Sequence, residues 1–258
     1  MNRITDYEEL KGRIVDWIKD YYYMQSSLKS LVVGVSGGID SAVVSTLCAE
    51  TGLPTYVVAM PLESKMQNTR LSDLHTKQLA EKYENVTRVE VELSSVYDSF
   101  LKSVNWWSEA QHFDKKEFTS DELANANTKS RIRMVTLYQI AGAKKGIVIG
   151  TGNKVEDYGI GFYTKYGDGG VDIAPIADLY KTEVRELGGY LSVDALIIDA
   201  KPTDGLWDDG RSDEDQIGAT YEELEEAMEN GEGKGVEILS KFNNQNRHKM
   251  QPIPTFKL

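Results

Sequence analysis

An open α/β fold, a parallel sheet with helices on both faces, is what this sequence predicts, and three observations carry it. Short apolar runs alternate with helical patterns through residues 1–150. Those runs are apolar at successive positions, as strands covered on both faces are. A glycine- and serine-rich turn, "GVSGGIDS" at residues 34–41, sits where a strand gives way to a helix.

The elements follow in order. Residues 5–24 place Leu10, Ile14, Trp17, Ile18 and Tyr21 at helical spacing and predict an amphipathic first helix. "SLVVGV" reads as a buried strand, and "IDSAVVSTLCAET" as a helix that Gly52 closes. "LPTYVVAM" is a second strand, stopped by Pro61, and residues 69–84 form a polar helix. "TRVEVEL" alternates Val89, Val91 and Leu93 as a third strand. Residues 95–104 and "DELANANTKSRIRMVTLYQIAGAKKG" predict two more helices, and "GIVIGT" a short fourth strand. The glycine-rich stretch that follows, with Phe162, Tyr163 and Tyr166 interleaved, reads as a long functional loop. "LYKTEVRELGGYL" is a helix, and the acidic residues 204–229 read as a solvated face with helical turns. No repeat or low-complexity linker divides the chain. It reads as one domain, 1–258, with a helical C-terminal region.

Composition narrows the function classes. Of the 258 residues, 40% are hydrophobic and 27% charged, ordinary for a soluble globular protein. There is no apolar run of about 18 residues and no signal-peptide pattern at the start, so the expected location is the cytoplasm. A net charge of −12 argues against a nucleic-acid partner, which normally needs a basic surface. A small nucleotide sees only its pocket and is not excluded. The single cysteine, Cys48, leaves no internal disulfide or thiolate metal cluster, and it reads as a buried helix-face thiol. His75, His112 and His248 are too scattered for a HExxH-type zinc site.

A strand–turn–helix of this composition suits an anion. Backbone N–H groups converge at the helix start, the helix dipole adds positive charge, and Gly37 and Gly38 allow close approach. Ser36 and Ser41 offer hydroxyl donors. The Walker A lysine is missing, and the glycines are not at dinucleotide-fingerprint spacing. Asp40 is present instead. A carboxylate beside phosphates calls for a cation between them, which makes Asp40 a candidate Mg²⁺ ligand. Its alternative is a helix N-terminal charge stabilised by the dipole.

The strand–SGGxDS–helix pattern resembles the pyrophosphate loop of the N-type ATP pyrophosphatases, which cut ATP between its α and β phosphates. Five separated segments, "SRIRM", "GTGNKVED…GFYTKYGDGG", "IAPIADLYKTEV", "KPTDGLW" and "RHKMQPIP", resemble ammonia-dependent NAD synthetases from about residue 5 to residue 255. The resemblance implies a Rossmann-like adenine nucleotide alpha hydrolase fold. It implies ATP bound by Gly34, Val35, Ser36, Gly37, Gly38, Ile39, Asp40, Ser41, Thr151, Lys181 and Thr203, and Mg²⁺ held by Asp40 and Glu156. It further implies deamido-NAD (nicotinic acid adenine dinucleotide) bound by Arg131, Lys165, Asp172, His248 and Lys249, with Asp172, Lys181 and Asp40 catalytic. Asp172 either holds that substrate or helps position or deprotonate ammonia. One extra residue before Lys165, relative to shorter members with "GTDHAAE…GFFTK", leaves the alignment of residues 157–161 open.

The implied reaction is a two-step ligation. The nicotinate carboxylate attacks the α phosphate, pyrophosphate leaves, and ammonia converts the acyl-adenylate to the amide and AMP. A glycine-rich lid at residues 157–171 would keep water off the adenylate. Nothing resembles a glutaminase or nitrilase domain, so free ammonia, or ammonia from a separate protein, is the expected nitrogen source. A homodimer is implied, and the aromatic and apolar helix residues Trp17, Tyr21 and Tyr138 permit it. The rival readings are a GMP-synthetase-like amidation of another nucleotide acid and a non-catalytic adenine-nucleotide binding module.

Overall fold

The computed structural model describes residues 3–62, 66–110, 119–202 and 212–257. Four parallel strands form one sheet: β1 (Ser30–Gly34), β2 (Thr55–Ala59), β3 (Val86–Glu90) and β4 (Gly146–Ile149), in the order β3-β2-β1-β4. β1 lies between β2 and β4, with Val33 level with Val57 on one side and Ile149 on the other. Sequential strands run outward from β1 to β3. The chain then crosses back to place β4 on the other side of β1. That reversal opens a crevice at the carboxyl ends of β1 and β4, the usual ligand edge of such sheets.

Side-chain alternation along β1 explains the two helical layers. Leu31 and Val33 enter a core with α1 (Tyr7–Met24), α2 (Ile39–Glu50) and α6 (Lys181–Tyr190), including Ile18, Val43, Leu47, Val184 and Leu187. Val32 points to the opposite face, where Val58, Val148 and Ala141 of α5 (Glu122–Lys144) cover it. Asp6 caps α1 by accepting from the Glu9 N–H at 2.9 Å. Cys48 is buried in α2, as expected, and burial pushes its thiol up. Trp17 departs from the expected face of α1 and stands exposed.

The helices α3 (Met66–Lys82) and α4 (Ser94–Ala110) flank β3, which ends at Glu90 rather than running on to Leu93. Larger departures lie past β4. The stretch expected as one long loop contains a π-helical segment, Lys154–Ile160, capped by Asn153 at one end and by left-handed Gly161 at the other. The acidic tract is not simply a solvated face. Its described part forms α8 (Asp213–Ile217) and α9 (Tyr221–Asn230), after the short α7 (Ala195–Ile198). Ile217, Tyr221 and Leu224 pack with Val155, Ile160 and Tyr180 in a separate small core that Leu239 and Phe242 of α10 (Gly235–Met250) complete. Among the described residues no helix is long and apolar enough to cross a membrane.

Candidate active site

The crevice is a cavity of about 980 Å³, within the range of small-ligand sites. One wall is the turn from Gly34 to Ser41, and all eight of its residues line the space. Gly37 adopts φ +93°, a conformation that favours glycine, and turns the chain into α2. Ser41 Oγ accepts from the Ser36 N–H at 3.1 Å and donates to the Gly38 carbonyl at 2.9 Å, which fixes the turn. No side chain caps the start of α2, so its leading N–H groups are left to face an anion.

At the floor, three charged side chains from separate elements meet. Lys181 opens α6 and is only 3% exposed; its Nζ donates to Asp40 Oδ2 at 2.5 Å and to Glu156 Oε1 at 2.9 Å. Asn153 donates from Nδ2 to Asp40 Oδ1 at 3.3 Å. Its Oδ1 accepts the N–H groups of Val155 and Glu156 at 3.0 and 3.1 Å, which starts the π-helical segment. Tyr221 donates its hydroxyl to the same Glu156 Oε1 at 2.5 Å. Burial pushes Glu156 up, but the charge of Lys181 and donors from Tyr221, Lys181 and Asn153 outweigh it and hold the carboxyl low. Asp40 goes the other way: burial, with help from Glu156, outweighs Lys181 and raises it. Burial works against the Lys181 ammonium, yet the two carboxylates more than compensate and keep it charged. Burial likewise holds the Tyr221 phenol protonated.

Two carboxylates that already converge on one ammonium form a donor set fit for a hard cation. Among the described residues no third His, Cys, Asp or Glu joins such a group, so a cation held here would need further ligands from outside the protein side chains.

The far wall carries a second charged group. Asp168 is open to the cavity; its Oδ1 accepts from Ser130 Oγ at 2.7 Å and from the Thr164 N–H at 3.0 Å. Desolvation by the surrounding wall raises its carboxyl against those bonds. Asp157 also lines the cavity, raised by burial and then by the charges of Asp168, Glu156 and Asp40. Its carboxylate fills the place where a side chain at Gly152 would stand, since a Cβ there would meet Oδ2 at 1.8 Å. Lys249 reaches in from α10 and donates to the Tyr163 carbonyl at 2.5 Å; burial lowers its ammonium against the pull of Asp168 and Asp157.

The cavity therefore gathers the whole Gly34–Ser41 turn, Thr151, Glu156, Lys181 and Lys249. Arg131, Lys165, Asp172 and His248 do not line it. Three of these touch one another on an adjacent face: Arg131 Nε donates to the Lys165 carbonyl at 3.2 Å, and Lys165 Nζ to the His248 carbonyl at 3.4 Å. Asp172 is exposed, and its carboxylate accepts from the Val148 N–H at 2.7 Å and the Tyr138 hydroxyl at 3.1 Å. That fastens it to the edge of β4, outside the cavity lining. Thr203 lies outside the described residues. The expected lid at residues 157–171 is tied down in its first part, where Asn243 and Asn246 of α10 donate to the Gly159 and Ile160 carbonyls at 3.1 and 2.8 Å.

Sequence reasoning missed Asn153, Asp157, Asp168 and Tyr221. The first three stand inside quoted motifs, and an Asn before a helical turn is a capping signal. Tyr221 carried no signal, being one aromatic in an acidic run.

Residues 10–254 match the family described as NAD synthase. The NH(3)-dependent NAD(+) synthetase of Finegoldia magna is 34% identical over 97% of both chains. Among solved structures, NMN synthetase from Francisella tularensis superposes with a TM-score of 0.86 at 32% identity, covering 99% of this chain and all of that one. The NH3-dependent NAD synthetase from Campylobacter jejuni, solved in complex with nitrate, gives 0.76 at 25% identity over 98% of this chain and all of that one.

Proposed function

This chain belongs to the NAD synthase family, and we propose from that premise how its crevice performs the family reaction. The activity is ATP-dependent amidation of deamido-NAD by ammonia, giving NAD, AMP and pyrophosphate. The convergence of Asp40, Glu156 and Lys181 beside the Gly34–Ser41 turn is the observation that carries the proposal.

The turn and the open start of α2 hold the triphosphate through backbone N–H groups. Asp40 and Glu156 would hold Mg²⁺, which when bound would supply positive charge to neutralise the departing pyrophosphate. Lys181 stands between these carboxylates, and a triphosphate gives its ammonium further oxygens to bind as negative charge shifts onto the leaving group. Thr151 contacts ATP from the end of β4. Arg131, Lys165, His248 and Lys249 form the dinucleotide face. Asp172, two turns along α5 from Arg131 at its Tyr138 contact, extends that face and does not direct ammonia. That task falls to Asp168, whose raised carboxyl is open to the cavity and suited to taking a proton from ammonium. No covalent enzyme nucleophile is needed, because positioning and charge stabilisation suffice. We place the enzyme in the cytoplasm as a homodimer.

A second reading is favoured by the Francisella superposition: amidation of the mononucleotide acid, without the adenylate half, to give NMN. Both substrates present the same carboxylate to ATP, so the reacting groups are shared. Parallel assays with ATP, Mg²⁺, ammonium and either deamido-NAD or nicotinate mononucleotide decide it. The proposal expects kcat/KM to favour the dinucleotide; preference for the mononucleotide establishes the second reading, and AMP release from neither acid defeats both.

A further inference from the structure

We propose that Tyr221 is a positioning residue for the cation site, through which the acidic C-terminal tract sets the geometry of Glu156. The inference rests on the reading of Asp40 and Glu156 as the divalent-cation ligands.

Four observations carry it. Tyr221 is fully buried at 0% exposure, deeper than any other residue of α9 except Leu224. Its hydroxyl donates to Glu156 Oε1 at 2.5 Å and lies 3.4 Å from Asp213 Oδ2. Its ring lies beside the Lys181 ammonium, which is 5.1 Å from the ring centroid. Its backbone is also held, since the N–H donates to Glu214 Oε1 at 3.0 Å and Thr220 caps the helix that Tyr221 begins. A phenol used only for packing has no reason to aim its hydroxyl at a buried carboxylate of the cavity floor. Here the aim fixes the carboxylate's rotation, because Tyr221 and Lys181 both donate to Oε1. When Lys181 engages phosphate, Tyr221 remains, alongside Asn153, as a donor that keeps Glu156 oriented. The tract that carried no chemistry of its own thereby reaches the reaction centre through one hydroxyl.

The test is Tyr221→Phe, which removes the hydroxyl and keeps the ring. Mn²⁺ serves as the paramagnetic probe, titrated with ATP into the full chain. The inference expects Tm to move little, Mn²⁺ affinity in the presence of ATP to fall about tenfold, and kcat to fall about tenfold. KM for deamido-NAD should stay within about twofold. Tyr221→Phe placed on a Glu156→Gln background should weaken Mn²⁺ no further, because the hydroxyl acts through that carboxylate. Unchanged Mn²⁺ affinity overturns the inference, as does a variant that unfolds or an additive double variant. Wild-type protein is the control. Failure of wild type to bind Mn²⁺ with ATP overturns the cation-site reading itself, whereas normal wild-type binding with an unaffected variant overturns only the role of Tyr221.

Discussion

Lys181 shows how much a single position carries. Its ammonium is the only positive charge bonded to both Asp40 and Glu156 among the described contacts, so removing it leaves two buried carboxylates facing each other. Lys181→Met should lower kcat/KM for ATP at least about a hundredfold, the scale of losing one charge-stabilising donor. Steady-state AMP release reads this directly, and a loss of less than about fivefold would contradict the assignment. His75 makes a separate prediction about stability. It is buried against α2, with Nε2 3.2 Å from the Ala42 carbonyl and 3.0 Å from Ser45 Oγ. Burial lowers its pKa from 6.5 to about 4, so the neutral ring is the folded form. Stability from this group is complete above pH 6.5 and is lost as pH falls toward 4, by about 3 kcal/mol. Denaturation midpoints between these pH values should fall in wild type, and the fall should be shallower in His75→Gln. Equal slopes would contradict it. At this scale the sequence singled out Asp40 and Lys181 by residue type, and the structure brings the two side chains together at the cavity floor. It carried no sign of the two bonds that tie Asp172 to Val148 and Tyr138, because these depend on β4 and α5 lying side by side.

Among the elements, β1, β2 and β4 were legible because a parallel strand buried on both faces is apolar over most of its length, as in "SLVVGV" and "GIVIGT", whereas β3 was legible by its alternation. The helix α1 announced itself by periodicity and α2 by the Gly52 that closes it. The π-helical segment did not, since its residues make sense only when seated on α10, and neither did α9, whose apolar residues find their partners across two other elements. Gly161 joins these pieces. It holds φ +64°, and a Cβ there would come within 2.7 Å of Asn246 Cβ and 2.9 Å of Met250 Sδ. Gly161→Ala should therefore destabilise the chain by about 1–3 kcal/mol and slow turnover, because Glu156 rides on the same segment. Chemical denaturation checks the first part. A neutral substitution would mean that the segment and α10 are not held as described.

For the whole molecule, the sheet order brings the β1 turn and the end of β4 to one crevice, and the C-terminal layer closes its floor. A large part of the remaining apolar surface lies on α4 and α5, where Trp106, Trp107, Leu123, Val135 and Tyr138 are exposed. A homodimer would cover such a face, and Arg131 and Tyr138 stand on the same helix. Sedimentation should give twice the chain mass, and Val135→Glu should return it to the monomer; a wild-type monomer at micromolar concentration would contradict the dimer. The bond between the nicotinate carboxylate and the α phosphate forms first. Deamido-NAD labelled with ¹⁸O in its carboxylate should, with ATP, Mg²⁺ and ammonium, transfer one label per turnover into the phosphate of AMP, in equal yield with NAD. Label appearing in orthophosphate alongside ADP, or AMP that carries none, would contradict an acyl-adenylate formed over Asp40, Glu156 and Lys181.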